Sequence, residues 1–184
     1  MQIGIGLPTT IPGAPAADVL AWAREADAGP FASLGIIDRL VYGNYEPIVS
    51  LAVAAGATQR IRLMPSVLLA PLRSAVLLAK EAATLDALSG GRLTLGLGVG
   101  SREEDFAAVA APFAQRGRIF DDQLATIKRL WAGDSVSDAI GPVGPAPAQP
   151  GGPPLLIGGF GPAAMRRVAQ WGDGFIGTVV DPGT

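Results

Sequence analysis

The chain of 184 residues contains no histidine and no cysteine. Without cysteine it can hold no disulfide framework, no thiolate nucleophile and no cysteine-ligated metal. Without histidine it cannot build a Ser-His-Asp triad, a histidine-ligated zinc or an imidazole general base. Proton handling is left to Asp, Glu, Lys, Tyr and Arg, and redox chemistry requires a bound cofactor. Lysine is scarce as well: Lys80 and Lys128 both fall in helical patterns, which argues against a Schiff-base lysine on a strand. Only 16% of residues are charged and the net charge is −2, so nothing favours nucleic acid or an acidic membrane surface as partner. No apolar run reaches the ~18 residues of a membrane span. The first residues, MQIGIGLP, lack the basic and apolar regions of a signal peptide. The expectation is a soluble, cytoplasmic protein without a metal site.

What is present is apolar residue in abundance, 49% of the chain, in a length suited to one sizeable α/β domain. Short apolar runs at 3–7, 34–38, 62–68, 93–99, 155–159 and 175–179 alternate with helical patterns, the rhythm of a parallel sheet covered by helices. Helices are expected over 16–28, 46–57, 75–88, 116–131 and 163–171. The second follows Asn44 and has Pro47 in its first turn, and Ser74 is placed to cap the third. Residues 133–154, GDSVSDAIGPVGPAPAQPGGPP, break the rhythm. So much proline and glycine predicts a long surface connection, and connections of this length are often lids or mobile segments.

Glycine inside strands is the most informative local feature. Gly96, Gly98 and Gly100 alternate with Leu95, Leu97 and Val99, and Gly4 and Gly6 alternate with Ile3, Ile5 and Leu7. Alternate residues face opposite sides of a strand, so each strand has one bulky and one bare face. A bare face admits either a ligand or a close-packed neighbour. The spacing of GLGVGS is not that of a dinucleotide-binding fingerprint. Polar residues follow the strand ends, where α/β folds place their sites: Asp38 and Arg39, Ser66, then Ser101, Arg102, Glu103 and Glu104. The run Gly158-Gly159-Phe160-Gly161-Pro162 opens a helix, and free amides there suit a phosphate. Each has a plainer alternative: a tight turn at the glycines, a surface ion pair between Asp38 and Arg39, acidic residues that complement a helix dipole, and a solvated face at Arg166 and Arg167.

The segments IIDRL, ATQRIRLMPSVLLAPLRSAVLLAKEAATLDALSGGRLTLGLGVGSREEDF, RGRIFDDQLATIKRLWAG and PPLLIGGFGPAAMRRVAQWGDGFI, in this order, resemble the bacterial luciferase-like monooxygenase family. The resemblance implies an α/β fold, a TIM-like (β/α) barrel. Eight strands and ~250 residues make such a barrel, so about six of its strands are expected here and the barrel is expected to be incomplete. It also implies a flavin-dependent oxidoreductase: a monooxygenase activating oxygen at FMN reduced by a separate reductase, or a hydride-transferring enzyme using the deazaflavin coenzyme F-420. A non-catalytic incomplete barrel, binding cofactor or serving in an assembly, is the alternative of another class. By residue, the resemblance implies a cis peptide at Ser66–Val67 behind the ring, Gly98, Val99, Gly100 and Ser101 along the flavin, and Gly159, Phe160, Gly161 and Ala163 at its phosphate; Arg102 is expected beside the cofactor, at the rim of the site. Asp38 and Arg39 are the expected catalytic groups, although many relatives carry histidine where this chain has Arg39. A small-molecule substrate and a homo-oligomer, formed through unpaired sheet edges, are the expected partners.

Overall fold

In the computed structural model the described residues are 1–11 and 13–177. Six parallel strand positions follow one another across the sheet in chain order. β1 (Gly4–Gly6), β2 (Ser33–Ile36) and β3 (Arg62–Pro65) form one sheet. β4 (Leu68–Leu69), β5 (Leu95–Gly98), β8 (Leu155–Gly158) and β9 (Gly174–Ile176) form the next. A parallel bridge from Leu63 to Leu93 links the two sheets. The run expected as one strand over 62–68 is thus two strands, β3 and β4, separated by Ser66 and Val67, whose peptide bond is cis. Each new strand joins beside the previous one. That is the singly wound progression of a barrel wall, as distinct from the reversal of strand order in a doubly wound sheet.

Helices α1 (Ala16–Ala28), α2 (Pro47–Ala57), α3 (Ala75–Leu88), α5 (Arg116–Trp131) and α6 (Pro162–Trp171) lie where the apolar periodicity places them. The Ser74 hydroxyl caps α3 through Leu77 N at 3.4 Å. Asn44 does not cap α2. The carboxylate of Glu46 does so, accepting Val49 N at 2.7 Å, because an acceptor one residue before the helix reaches its free amides and a residue further back does not. The run Glu103-Glu104-Asp105 opens a short helix α4 (Glu103–Ala108), as the dipole argument expects.

The core lies between this wall and its helices. Leu34, Leu63, Leu97, Leu155 and Ile157 are fully buried on the helix-facing side, with Leu51, Leu78, Phe120 and Leu124 from the helices. Each such side chain contributes about 1.5–3 kcal/mol by leaving water. Trp131 completes the core, its indole N–H donating to Ala79 O at 3.0 Å. Within 133–154, β6 (Ser135–Ser137) and β7 (Ile140–Pro142) make an antiparallel hairpin. Gln149 then anchors this connection to Asp86 and to Leu93 O, just before β5. The anchor sits at the N-terminal ends of the strands. The strand expected over 175–179 is seen as β9, and residues 178 and 179 lie outside the described residues. Among the described residues no helix is long and apolar enough to cross a membrane.

Candidate cofactor site at the C-terminal strand ends

The two glycine-faced regions behave differently. On β1 and β2 the face turned away from the helices is open towards the C-terminal ends, at Gly6 and Gly35, while Ser33 crowds Gly4. A methyl group added at Gly6 would meet nothing within 4 Å, and at Gly35 only ordinary contacts, the nearest at 3.7 Å to Ser66 Oγ. A cleft of about 400 Å³ lies over this face, lined among others by Gly6, Thr9, Gly35, Ile37, Met64 and Ser66. On β5 and β8 the bare face is filled. Val67 lies across both glycines, its methyls 2.6 Å from where a Cβ on Gly98 or on Gly158 would stand, and Ile176 and the Pro65 carbonyl crowd Gly96. Close packing is therefore what the glycines of β5 serve. Gly100 leaves the strand at φ 74°, so it does not share the face of Gly96 and Gly98 as strict alternation predicts.

All the residues expected at the cofactor lie at the C-terminal ends of the strands, but they do not form one wall. Ser66 lines the cleft, with its hydroxyl donating to Met64 O at 3.4 Å. Val99 and Gly100 are half-buried, Ser101 is exposed, and Arg102 is exposed with Glu104 at 3.7 Å. Gly159 and Gly161 take φ 145° and 83°, values open to glycine, and no side chain caps α6. Phe160 is 64% exposed and Ala163 half-buried in the first turn. The helix therefore presents free first-turn amides at a strand end.

Asp38 and Arg39 do not pair with each other. The Asp38 carboxylate is buried and accepts Leu69 N and Arg73 Nη2, each at 2.9 Å. Arg73 Nη2 also lies 3.2 Å from Glu46 Oε1. Behind this group Glu81 is held above the usual carboxylate value, chiefly by burial, with Arg73 opposing the shift and Glu46 adding to it. Arg39 turns the other way, to Asp105 Oδ2 at 3.2 Å and Glu104 Oε1 at 3.0 Å. Both residues follow β2 because the strand ends there. Their partners come from other βα units, which no local pattern signals.

Thr9 and Thr10 line the cleft and were not nominated by the strand-end pattern, although they follow β1 as Asp38 follows β2. The Thr9 hydroxyl is buried without a partner among the described residues. Such a group costs about 1–3 kcal/mol unless water or a ligand satisfies it. Arg167, expected on a solvated face, instead pairs with Asp121 at 2.6 Å and donates to Gly117 O, tying α6 to α5. Among the described residues no group of three His, Cys, Asp or Glu side chains is placed to hold a metal.

A family model, luciferase-like monooxygenase, matches residues 1–183, and the chain belongs to this family. An F420-dependent glucose-6-phosphate dehydrogenase of Beutenbergia cavernae is 33% identical over 180 residues, 88% of this chain and 52% of that enzyme. Monooxygenase RslO1 from Streptomyces bottropensis superposes with a TM-score of 0.83 at 28% identity, over 95% of this chain and 59% of its own. The oxygenating constituent of 3,6-diketocamphane monooxygenase from Pseudomonas putida, solved in complex with FMN, superposes with a TM-score of 0.77 at 20% identity, over 92% of this chain and 55% of its own. At that identity the likeness shows the fold alone. The chain spans between 44% and 65% of the length of the curated relatives it matches.

Proposed function

We propose that this chain is the cofactor-binding part of a flavin-type oxidoreductase, a monooxygenase that activates oxygen at reduced FMN and acts on a small molecule. The observation that carries the reading is the open cleft over the bare face of β1 and β2, bounded by Ser66 and holding the unpartnered hydroxyl of Thr9. Its volume of about 400 Å³ falls within the range of small-molecule sites. The residues fit a planar ring with a phosphate tail: glycine backbone at Gly6 and Gly35 allows close approach, and the first turn of α6 after Gly159–Gly161 offers amides to an anion. When bound, reduced FMN supplies electrons for oxygen activation, and coenzyme F-420 exchanges a hydride with the substrate. The protein's part is to orient the ring and keep water away from it.

The F-420 reading is the second one. It is favoured by the B. cavernae relative, which is F420-dependent and 33% identical to this chain. Titration of the purified chain with FMN and, separately, with coenzyme F-420 tests both, followed by visible absorbance and fluorescence. A saturable spectral shift with FMN supports the first reading, and one with F-420 alone supports the second. A chain that shifts neither spectrum is not a cofactor-binding unit by itself.

A further inference from the structure

Asp105 sits on α4 with 1% of its surface exposed, yet its partners all come from the loop after β2. Oδ1 accepts the backbone amides of Leu40 at 3.1 Å and Val41 at 2.7 Å, and Oδ2 accepts Arg39 Nε at 3.2 Å. Buried polar oxygens are costly without hydrogen-bond donors, and these three bonds satisfy both carboxylate oxygens. Ile37, Leu40 and Val41 are each 46% exposed and Tyr42 is 53% exposed, so apolar burial contributes little. On its other flank Asp38 ties the loop to Leu69 and Arg73. Ile37, the first residue of the loop and next to Asp38, stands on the wall of the cleft.

We propose that Asp105 is a positioning residue: by gripping the amides of Leu40 and Val41 and the guanidinium of Arg39, it fixes the loop that carries Ile37 against the cleft. Cofactor affinity then depends on a carboxylate that does not itself line the site. Arg39 belongs to this latch, which sets its charge on Asp105 and Glu104. The inference rests on the reading of the cleft as the flavin-type cofactor site.

The test compares Asp105→Ala and Asp105→Asn in the full chain by amide hydrogen exchange and by titration with FMN and with F-420. Asp105→Ala should speed exchange at Leu40 and Val41 by about tenfold or more and weaken the bound cofactor by about tenfold, the loss of a charge-assisted contact. Asp105→Asn keeps an oxygen that accepts both amides, so it should recover most of the protection and most of the affinity. If the alanine variant does not fold, Arg39→Ala, which cuts the same latch at the surface, should reproduce the faster exchange. Unchanged exchange in a folded Asp105→Ala, or faster exchange with cofactor affinity within about twofold, would overturn the proposal. Equal losses in the alanine and asparagine variants would also overturn it, since a merely structural defect has no reason to be rescued by an acceptor oxygen. If the unaltered chain binds neither cofactor, the reading of the cleft fails, and the exchange data alone then show whether the latch exists.

Discussion

The two ends of the strands differ in what they leave unpaired. At the N-terminal ends, polar side chains are spent on wiring one βα unit to the next. Arg92 donates to Ser89 O, Thr58 Oγ1, Ile61 O, Ala55 O and Thr58 O, all between 2.7 and 3.1 Å. Asp27 accepts the amides of Gln59, Arg60 and Ile61. Asp86, fully buried, holds Gln149 by two bonds. At the C-terminal ends Asp38 and Asp105 make ties of the same kind, but an uncapped helix, an unpartnered threonine hydroxyl and half-exposed apolar side chains remain available beside them. On the proposed reading, the difference separates stability from function along the strand axis, as barrels generally do. Substitutions at the lower end should act on stability, and those at the upper end on cofactor binding.

The largest effect is expected from Arg92→Ala. Five carbonyl and hydroxyl acceptors lose one shared donor, and breaking such a network should cost about 3 kcal/mol. Urea denaturation reads the loss, and the folded fraction should still bind the cofactor within about twofold of the unaltered chain. A variant that kept its stability but lost cofactor would break the division between the two ends.

At the other end, Gly161→Asp and Gly161→Ala should be measured together. At φ 83° either side chain is strained by about 1–2 kcal/mol. Only the aspartate adds like-charge repulsion to a bound phosphate, so only Gly161→Asp should weaken the cofactor, by about tenfold. Equal affinity in the two variants would remove the phosphate from this turn.

The smallest effect is a pH dependence at the lower end. Burial pushes the Asp27 carboxyl up, but the amides of Gln59, Ile61 and Arg60, with the charge of Arg60, outweigh it and hold the group below its ordinary value of 3.8. A depressed carboxylate contributes stability above its unfolded pKa and loses it as pH falls through the folded one. Stability should therefore decline as pH drops below about 3.8, and Asp27→Asn should flatten that part of the curve. An unchanged curve would show that these exposed bonds contribute nothing measurable.

The sequence by itself determined the order of the elements and most helix limits. Apolar periodicity is a local signal, and helix α5 shows it: Phe120, Leu124, Ile127 and Trp131 are spaced by turns and all are buried. The motif string from Ala57 to Phe106 carried the family, and with it the cis bond at Ser66–Val67, which no propensity indicates. What only the tertiary structure decided was which bare strand face stays open and which is filled. Gly6 and Gly98 look alike in sequence, but Val67 reaches one and nothing reaches the other. The partners of Asp38 and Arg39 were equally hidden, because Arg73 and Asp105 stand 35 and 66 residues away in the chain. The pairing of a charge is set by where helices place their first turns around the barrel, and that placement depends on the whole wall being assembled.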